Sequence, residues 1–397
     1  MTTENAKIAE RAQKVLVGNY KQQPIAIVRG QGTHLWDADG RRYLDFIAGI
    51  ATVSLGHCHP KVVAALEAQA KQLWHTANMV YTEPQVALAE RIVANSFAER
   101  VFFCNSGAEA NEAALKLARR VQHDRGQQRY EIISFLNSFH GRTLFTVSVT
   151  GQPKYWKGFE PMVPGVKHAT YGDIESVKAL VGPHTAAIIV EPIQGEGGVR
   201  PASKGFLQAL RQLCDEQGIL LIFDEVQSGM GRTGTLFAYE QFGVKPDIMT
   251  LAKALGNGIP IGAMCTTAEL ARSLVPGTHA STFGGNPLAA VCASAVIDEL
   301  LGGVLQHAQV AGEYLAGRLG DMARRLGDKV VETRGMGLLR GVELPREAAP
   351  VIARCREMGV LLNAAGERTI RMAPPLVVEH VEIDEAVDVI ERAIAET

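Results

Sequence analysis

The stretch Ile219-Leu-Leu-Ile-Phe-Asp-Glu-Val-Gln227 decides the fold class, because five apolar residues run together and end directly at a carboxylate. A short run that is apolar on both faces is typical of a strand buried in a parallel or mixed sheet. The helical segment Lys204–Gln217, stopped by Gly218, precedes it. Similar apolar runs occur at Val101–Cys104, Ile132–Phe135, Ala187–Val190 and Ile248–Leu251. This alternation predicts an α/β domain with helices covering the sheet.

The two ends of the chain follow a different pattern. Residues 20–47 contain short apolar runs and an Asp39-Gly40 pair, which predict a small antiparallel sheet with a tight turn. After Pro287 we expect a helix from Leu288 to Leu301, helices near residues 305–325 and 383–395, and short strands around Val330, Leu338 and Leu361. We therefore expect a large domain over residues 56–286 and a small domain over residues 287–397, to which residues 1–55 contribute.

Composition excludes several classes of partner. Forty Lys and Arg residues against 42 Asp and Glu leave a net charge of −2, with no block of like charges, so neither nucleic acid nor an anionic membrane is an expected partner. The polar N-terminus lacks the apolar segment of a secretory signal, and no apolar run reaches the length of a membrane span. Six cysteines lie far apart, without a C-x-x-C pair. A reducing compartment, the cytoplasm, is the expected location.

Ligands of an open α/β sheet bind at the carboxyl ends of its strands. The first such end is followed by Asn105-Ser-Gly-Ala-Glu109, in which small residues open a helix. A helix N-terminus offers free N–H groups to an anion, and Gly107 lets the backbone approach it closely. Ser106 with Glu109 fits a simple capping box equally well. The spacing alone does not decide between a phosphate site and a cap.

Two charged residues follow two further strands. Asp224 comes directly after apolar residues, so its carboxylate needs a cationic or hydrogen-bonding partner, and a protonated pyridine nitrogen is one. A cap for the following turn is the alternative for Asp224. Lys253 stands between small and apolar neighbours, where desolvation lowers the pKa of an amine and favours a Schiff base. Most lysines are solvated surface residues, so Lys253 alone indicates little.

Together these features match the three requirements of pyridoxal 5'-phosphate: a phosphate anchor, a partner for the ring nitrogen and a lysine for the imine. The combination is a stronger indication than any one part. In Ser138-Phe-His-Gly-Arg142, the Phe139 ring can stack on an aromatic cofactor and Arg142 can grip a carboxylate bidentately. Taken alone, Phe139 fits an ordinary core position and Arg142 a structural ion pair.

Three other classes of protein compete with this interpretation. Gly229-Met-Gly-Arg-Thr-Gly234 matches G-x-G-x-x-G, but it does not follow a first strand, and Asp247 precedes the next strand instead of closing it; a nucleotide-binding oxidoreductase is therefore weakly supported. His57-Cys-His59 lacks a second ligand cluster, so we expect no metal. A non-catalytic scaffold explains the buried sheet but not the charged residues at strand ends.

Six motifs together resemble the class III, or ornithine-type, aminotransferases. They are Ser106-Gly-Ala-Glu-Ala-Asn111, Phe139-His-Gly-Arg142, Glu191-Pro-Ile-Gln-Gly-Glu196, Phe223-Asp-Glu-Val-Gln227, Thr250-Leu-Ala-Lys253 and Ser281-Thr-Phe-Gly284, and the resemblance runs in order from about Tyr20 to Pro375. It implies the fold type I architecture of pyridoxal-phosphate-dependent transferases, with a large, mostly parallel seven-stranded sheet domain and a smaller α+β domain. It also implies an obligate homodimer whose active site is shared between subunits.

The resemblance also implies a role for each site residue. Gly107 and Ala108 bind the phosphate through backbone N–H groups, Phe139 and Val226 cover the two ring faces, Asp224 pairs with the ring nitrogen, Gln227 contacts the phenolic oxygen, and Lys253 forms the imine and moves the proton. Glu225 is counted with this cofactor set, and Thr282 touches the phosphate of the neighbouring subunit. Arg142, Ser281, Tyr20 and Glu196 form the substrate set, with Arg142 binding an α-carboxylate and Glu196 masking Arg371 during one half-reaction.

Within the class, Asn19-Tyr20 and Gly56-His-Cys-His-Pro60 are most similar to enzymes that transfer the δ-amino group of N2-acetylornithine to 2-oxoglutarate in arginine biosynthesis. The products are N-acetylglutamate 5-semialdehyde and glutamate. Ornithine-specific members carry a tyrosine where this chain has Ile50, which suggests room for an N-acyl group. N-succinylornithine, N-succinyl-diaminopimelate, ornithine and 4-aminobutyrate stay open as alternative amino donors.

Overall fold

The structure is a computed structural model that describes residues 3–397. Its strands are β1 (Ile27–Gln31), β2 (His34–Asp37), β3 (Arg42–Asp45), β4 (Arg100–Cys104), β5 (Glu131–Phe135), β6 (Val166–Ala169), β7 (Thr185–Val190), β8 (Ile193–Gln194), β9 (Arg200–Pro201), β10 (Leu220–Asp224), β11 (Ile248–Leu251), β12 (Gly262–Thr266), β13 (Glu332–Met336), β14 (Leu339–Glu343), β15 (Val360–Leu361), β16 (Asn363–Ala365) and β17 (Thr369–Met372).

The helices are α1 (Glu4–Val15), α2 (Ala48–Ala51), α3 (Pro60–Ala70), α4 (Glu83–Ala94), α5 (Gly107–Asp124), α6 (Leu144–Val149), α7 (Ile174–Lys178), α8 (Lys204–Gln217), α9 (Tyr239–Phe242), α10 (Ala268–Ala271), α11 (Pro287–Glu299), α12 (Leu305–Leu326), α13 (Ala349–Glu357) and α14 (His380–Glu396). Short 3-10 turns lie at Pro153–Tyr155, Lys253–Gly256 and Gly327–Lys329, and a π-helical segment at Leu300–Val304.

A seven-stranded sheet in the order β4-β12-β11-β10-β7-β5-β6 forms the centre of the molecule. The pairs among β11, β10, β7, β5 and β6 are all parallel, whereas β12 runs antiparallel to both of its neighbours. The five strands predicted from apolar runs are β4, β5, β7, β10 and β11. The sheet is therefore mostly parallel, as the sequence predicts.

Helix α8 has the apolar face and the glycine stop that its sequence predicts. Its buried side is formed by Phe206, Leu207, Leu210 and Leu213, and Gly218 ends it with a φ of 64°. The left-handed conformation favours glycine, because glycine has no Cβ to clash. Both ends of α8 match the prediction.

A second sheet joins the two ends of the chain. It has the order β1-β2-β3-β15, and β15 pairs in parallel with β3, so a C-terminal strand completes the N-terminal sheet. A third sheet, β13-β14-β17-β16, is formed entirely from C-terminal residues. The division of the chain at residues 55 and 286 stays a prediction.

The segment Pro287–Lys329 is the one stretch of residues 3–397 that is long and apolar enough to cross a membrane. Its first part, α11, packs against α3 and α4 and buries Ala289, Ala293 and Val296. These contacts are those of a core helix. The predicted helix to Leu301 leaves α-helical geometry after Glu299, where the Gly302-Gly303 pair follows and Gly303 has a φ of 135°.

Candidate active site

A cleft of about 450 Å³ lies where β4, β5, β7, β10 and β11 end. Most of its lining follows directly from those strands: Asn105, Ser106, Gly107, Ala108, Phe139, His140, Gly141, Arg142, Glu191, Ile193, Asp224, Val226, Gln227, Ala252 and Lys253. Asn111, Thr52 and residues 258–261 complete it. The cleft thus occupies the ligand-binding edge expected of a parallel sheet.

Asp224 is buried and tightly hydrogen-bonded at the bottom of this cleft. Its Oδ2 accepts a hydrogen bond from Asn111 Nδ2 at 2.7 Å and lies 2.7 Å from His140 Nδ1. Its Oδ1 accepts from the Val226 N–H at 3.0 Å, so the turn cap considered from sequence is present as well. Thr250 Oγ1 donates to Asn111 Oδ1 at 2.7 Å and fixes the amide. These contacts hold the Asp224 carboxylate in one orientation.

Lys253 follows β11 in the left-handed region, with a φ of 44°. This conformation is costly for a residue with a side chain, and strained residues of this kind cluster at functional sites. The residue is half-buried in the cleft. Burial lowers the pKa of its amine, and the negative charge of Glu196 only partly offsets the effect. A larger fraction of the amine is therefore unprotonated than in a surface lysine.

The start of α5 forms one wall of the cleft. Ser106 Oγ accepts from the Glu109 N–H at 3.2 Å, while the Glu109 carboxylate accepts from the Asn105 N–H, so a cap is formed. A Cβ on Gly107 would lie 2.7 Å from Val226 Cγ1, which requires glycine here. The N–H groups beyond the cap still begin a helix of 18 residues, whose dipole favours an anion.

Glu196 and Arg371 form an ion pair beside the cleft, with Glu196 Oε1 2.6 Å from Arg371 Nη1. Arg371 is almost completely buried and also donates to Gly195 O and Gln227 Oε1, each at 3.2 Å. Because Gln227 lines the cleft, it connects the pair to the site. Burial opposes ionisation of Glu196, but the positive charges of Arg371 and Lys253 outweigh it and lower its pKa. Glu196 therefore stays ionised on Arg371 at neutral pH.

Glu191 lies in the cleft lining with a different environment. Its Oε2 accepts from the Phe139 N–H at 3.1 Å. Burial, followed by the charge of Asp224, raises its pKa well above the usual range. The raised pKa favours the neutral form of Glu191, which avoids a second negative charge beside Asp224.

Several sequence-predicted residues do not line this cleft. Both Glu225 oxygens accept backbone N–H groups, from Ala238 and Tyr239 at the start of α9, so its side chain caps that helix, and its place in the cofactor set stays a prediction. Tyr20 is 78% exposed and lies in a separate groove with residues of α1. Ser281 and Thr282 lie outside the lining as well, and Ser281 Oγ accepts from Asn105 Nδ2 at 3.2 Å.

Four residues with clear contacts in or around the cleft had no predicted role: Asn111, His140, Glu191 and Thr250. Asn111 follows Gly107 by four positions, one helical turn, which places both on the same face of α5. That spacing was a usable signal. His140 and Glu191 lie within the class III motifs, but their burial and partners depend on tertiary packing.

The G-x-G-x-x-G segment has a structural function. Arg232 is fully buried and donates to Leu338 O, Pro374 O and Ser54 Oγ, which joins three separate segments. Burial without a carboxylate partner lowers the pKa of its guanidinium to about 9. No helix opens at this turn; the next, α9, begins at Tyr239. These features do not fit a dinucleotide fingerprint. Residues 3–397 also contain no cluster of metal-ligating side chains.

Comparison with known proteins agrees with this geometry. The family model for class-III aminotransferases matches residues 16–394, so the chain belongs to the class-III aminotransferases. It is 56% identical to the acetylornithine aminotransferase of Myxococcus xanthus over 95% of both chains. It is 49% identical to the succinylornithine transaminase/acetylornithine aminotransferase of Pseudomonas aeruginosa, covering 100% of this chain and 99% of the relative.

A solved structure supports the same assignment. The ornithine aminotransferase of Toxoplasma gondii, described with partial occupancy of PLP at its active site, superposes with a TM-score of 0.94 at 34% identity. The match covers 99% of this chain and 94% of that one. The seven-stranded sheet is therefore that of a fold type I enzyme, as the sequence resemblance implied.

Proposed function

We propose that this protein is a pyridoxal-phosphate-dependent aminotransferase that moves the δ-amino group of N2-acetylornithine to 2-oxoglutarate. The products are N-acetylglutamate 5-semialdehyde and glutamate. The observation that carries the proposal is that Lys253, Asp224 and the start of α5 converge on one cleft, with the Glu196–Arg371 pair beside it. The names of the relatives from M. xanthus and P. aeruginosa support the choice of amino donor.

The residues of the cleft fit the cofactor. The start of α5 suits a phosphate, and Asp224 is a buried acceptor held for a cationic ring nitrogen. Val226 and Phe139 are suited to cover the two faces of an aromatic ring, and Gln227 to contact its phenolic oxygen. When bound, pyridoxal phosphate supplies an electron-accepting ring that stabilises negative charge at the substrate carbon.

The protein groups have distinct tasks in the reaction. Lys253 Nζ, with its lowered pKa, accepts the proton from the substrate carbon and passes it to the cofactor. Asp224 keeps the ring nitrogen protonated, and Asn111 and His140 hold its carboxylate in place. Arg142 at the mouth of the cleft binds the carboxylate far from the reacting carbon, which in N2-acetylornithine is the α-carboxylate.

Glu196 and Arg371 allow one cleft to accept both an ω-amine and an α-amine. While Glu196 is paired to Arg371, the charge of the guanidinium is neutralised, which suits the uncharged carbon chain next to the δ-amine. When glutamate or 2-oxoglutarate enters, Glu196 releases Arg371 to the α-carboxylate next to the reacting carbon, while Arg142 binds the other carboxylate. A permanent structural ion pair is the alternative.

The site is completed by a second copy of the chain in this proposal. Large apolar side chains are exposed at Met79, Tyr81 and Phe283, the last next to Thr282 in the chain. Burying such a surface favours association. We propose a homodimer in which Ser281 and Thr282 contribute to the partner's site, and Tyr20 also contacts substrate. We further propose a cytoplasmic enzyme of arginine biosynthesis.

Steady-state kinetics tests the choice of substrate. Purified enzyme is supplied with 2-oxoglutarate and, in separate assays, N2-acetylornithine, N-succinylornithine, ornithine and 4-aminobutyrate. We expect the two acylated donors to have the highest kcat/KM, because Ile50 replaces the tyrosine of ornithine-specific members. N-succinylornithine is the second candidate because the P. aeruginosa relative carries both names. Negligible use of N2-acetylornithine contradicts the proposal.

A further inference from the structure

Arg142 is held at the cleft mouth by an aromatic side chain with no predicted role. Its guanidinium carbon lies 3.6 Å from the centroid of the Tyr155 ring and 5.4 Å from that of Phe139. The side chain is otherwise exposed. Among residues 3–397, no carboxylate oxygen lies within the 4.0 Å of an ion pair with Arg142. The aromatic faces are therefore what orients this arginine.

The position of Tyr155 is itself fixed. It ends the 3-10 turn Pro153–Tyr155, and the next residue, Trp156, donates from Nε1 to Val147 O and Thr150 O, both at 2.9 Å. Gln152 Nε2 donates to Ser138 O at 3.0 Å. These bonds tie the turn to chain segments on both sides of Phe139 and Arg142.

Stacking leaves the arginine free for substrate. A guanidinium that lies over a ring uses its flat face, while its five N–H donors point outward in the plane. Those donors match the two oxygens of a carboxylate. The Phe139 and Tyr155 rings meet edge to face, with centroids 6.1 Å apart and an interplanar angle of 82°. Tyr155 thus connects Arg142, which binds the carboxylate, to Phe139, the ring expected to cover the cofactor.

We propose that Tyr155 is a positioning residue that preorganises Arg142 to bind the substrate carboxylate far from the reacting carbon, the α-carboxylate in N2-acetylornithine. This inference rests on the proposed function, since it assigns Arg142 to that carboxylate. An exposed arginine without the ring samples many rotamers, and ordering it on binding costs free energy. Tyr155 removes part of that cost before substrate arrives.

The test compares Tyr155→Leu, which keeps apolar bulk against Phe139, with Tyr155→Phe, which keeps the ring. We expect Tyr155→Leu to raise KM for N2-acetylornithine and for 2-oxoglutarate by about fivefold, with kcat essentially unchanged, from the usual strength of such a contact at an exposed site. Tyr155→Phe should restore wild-type KM. The matched control is Tyr130→Leu, because Tyr130 is exposed and stacks on His184 outside the cleft.

A double-mutant cycle separates positioning from a general structural effect. In an Arg142→Ala background, Tyr155→Leu should change KM by no more than the Tyr130→Leu control. The inference is overturned if Tyr155→Leu matches the control in the wild-type background, lowers only kcat, or has its full effect without Arg142. A wild-type enzyme that does not use N2-acetylornithine would instead overturn the proposed function.

Discussion

The pair Glu196–Arg371 predicts that Glu196→Gln has different effects on the two amino donors. In the wild type, a second carboxylate reaches Arg371 only after displacing Glu196, which lies 2.6 Å from Nη1. The substitution keeps the size of the side chain but removes its charge. Arg371 should stay in place, because Gly195 O, Gln227 Oε1 and Asn363 Oδ1 still accept its hydrogen bonds.

The size of the effect follows from the bond that is lost. A hydrogen bond to a charged group contributes roughly 1.5–3 kcal/mol. Part of this is recovered by the amide that replaces the carboxylate, so we expect a net gain of about 1.4 kcal/mol for an incoming carboxylate, which is about tenfold in affinity. Glutamate and 2-oxoglutarate should therefore bind about tenfold more tightly. N2-acetylornithine should bind no better, since its reacting end carries no carboxylate.

Half-reactions measured separately test this prediction. The holoenzyme is mixed with glutamate or with N2-acetylornithine alone, and the change in cofactor absorbance gives the apparent Kd and rate for each. Glu313→Gln is the matched control, because Glu313 is exposed on α12. An unchanged ratio of the two Kd values, equal to that of the control, would show that the pair is only structural.

Three further variants test separate parts of the structure. Asp224→Ala should slow proton abstraction by at least about a hundredfold in single-turnover assays, because the ring nitrogen loses its charged partner; an unchanged rate contradicts this role. Arg232→Met should lower the free energy of unfolding by about 3 kcal/mol in denaturant titrations, since it leaves three buried acceptors unpaired; unchanged stability would refute that. Burial raises the pKa of Glu225 to about 8, so the folded state binds its proton more tightly and loses stability as pH rises from about 4.5 to 8. Glu225→Gln should therefore have a melting-temperature deficit that shrinks as pH rises from mildly acidic to mildly alkaline, and a constant deficit contradicts the shift.

The buried sheet was largely predictable because its strands have a strong local signal. Runs such as Ile132–Phe135 and Ala187–Val190 are apolar almost throughout and became β5 and β7 with an error of one or two residues. Strand β12 was missed, since Gly262-Ala-Met-Cys-Thr266 has few β-branched residues and depends on its neighbours β4 and β11 for pairing. Strand β6 was missed as well, because it is a short edge strand with Lys167 and His168 inside it.

The predicted site residues that follow strand ends lie together in the structure. Gly107, Phe139, Asp224 and Lys253 all line one cleft, because strand ends of a parallel sheet meet at one edge. The direction in which a side chain points was harder to predict from the sequence. Glu225 lies between two cleft residues but caps α9 instead, which the sequence around it does not reveal.

Contacts between residues that are far apart in the sequence could not be predicted from the sequence. Tyr155 contacts Arg142 through a turn that no apolar pattern marks, and His140 meets Asp224 across 84 positions. These contacts depend on packing between elements. They became visible only from the structure.

The most direct test of the central claim is to locate the cofactor on the chain. The purified protein is loaded with pyridoxal phosphate, its visible spectrum is recorded before and after borohydride reduction, and the reduced protein is digested and mapped. We expect a yellow band that borohydride removes and a pyridoxyl group on Lys253. A protein that stays colourless, or a label on another lysine, would contradict the assignment of this cleft as the active site.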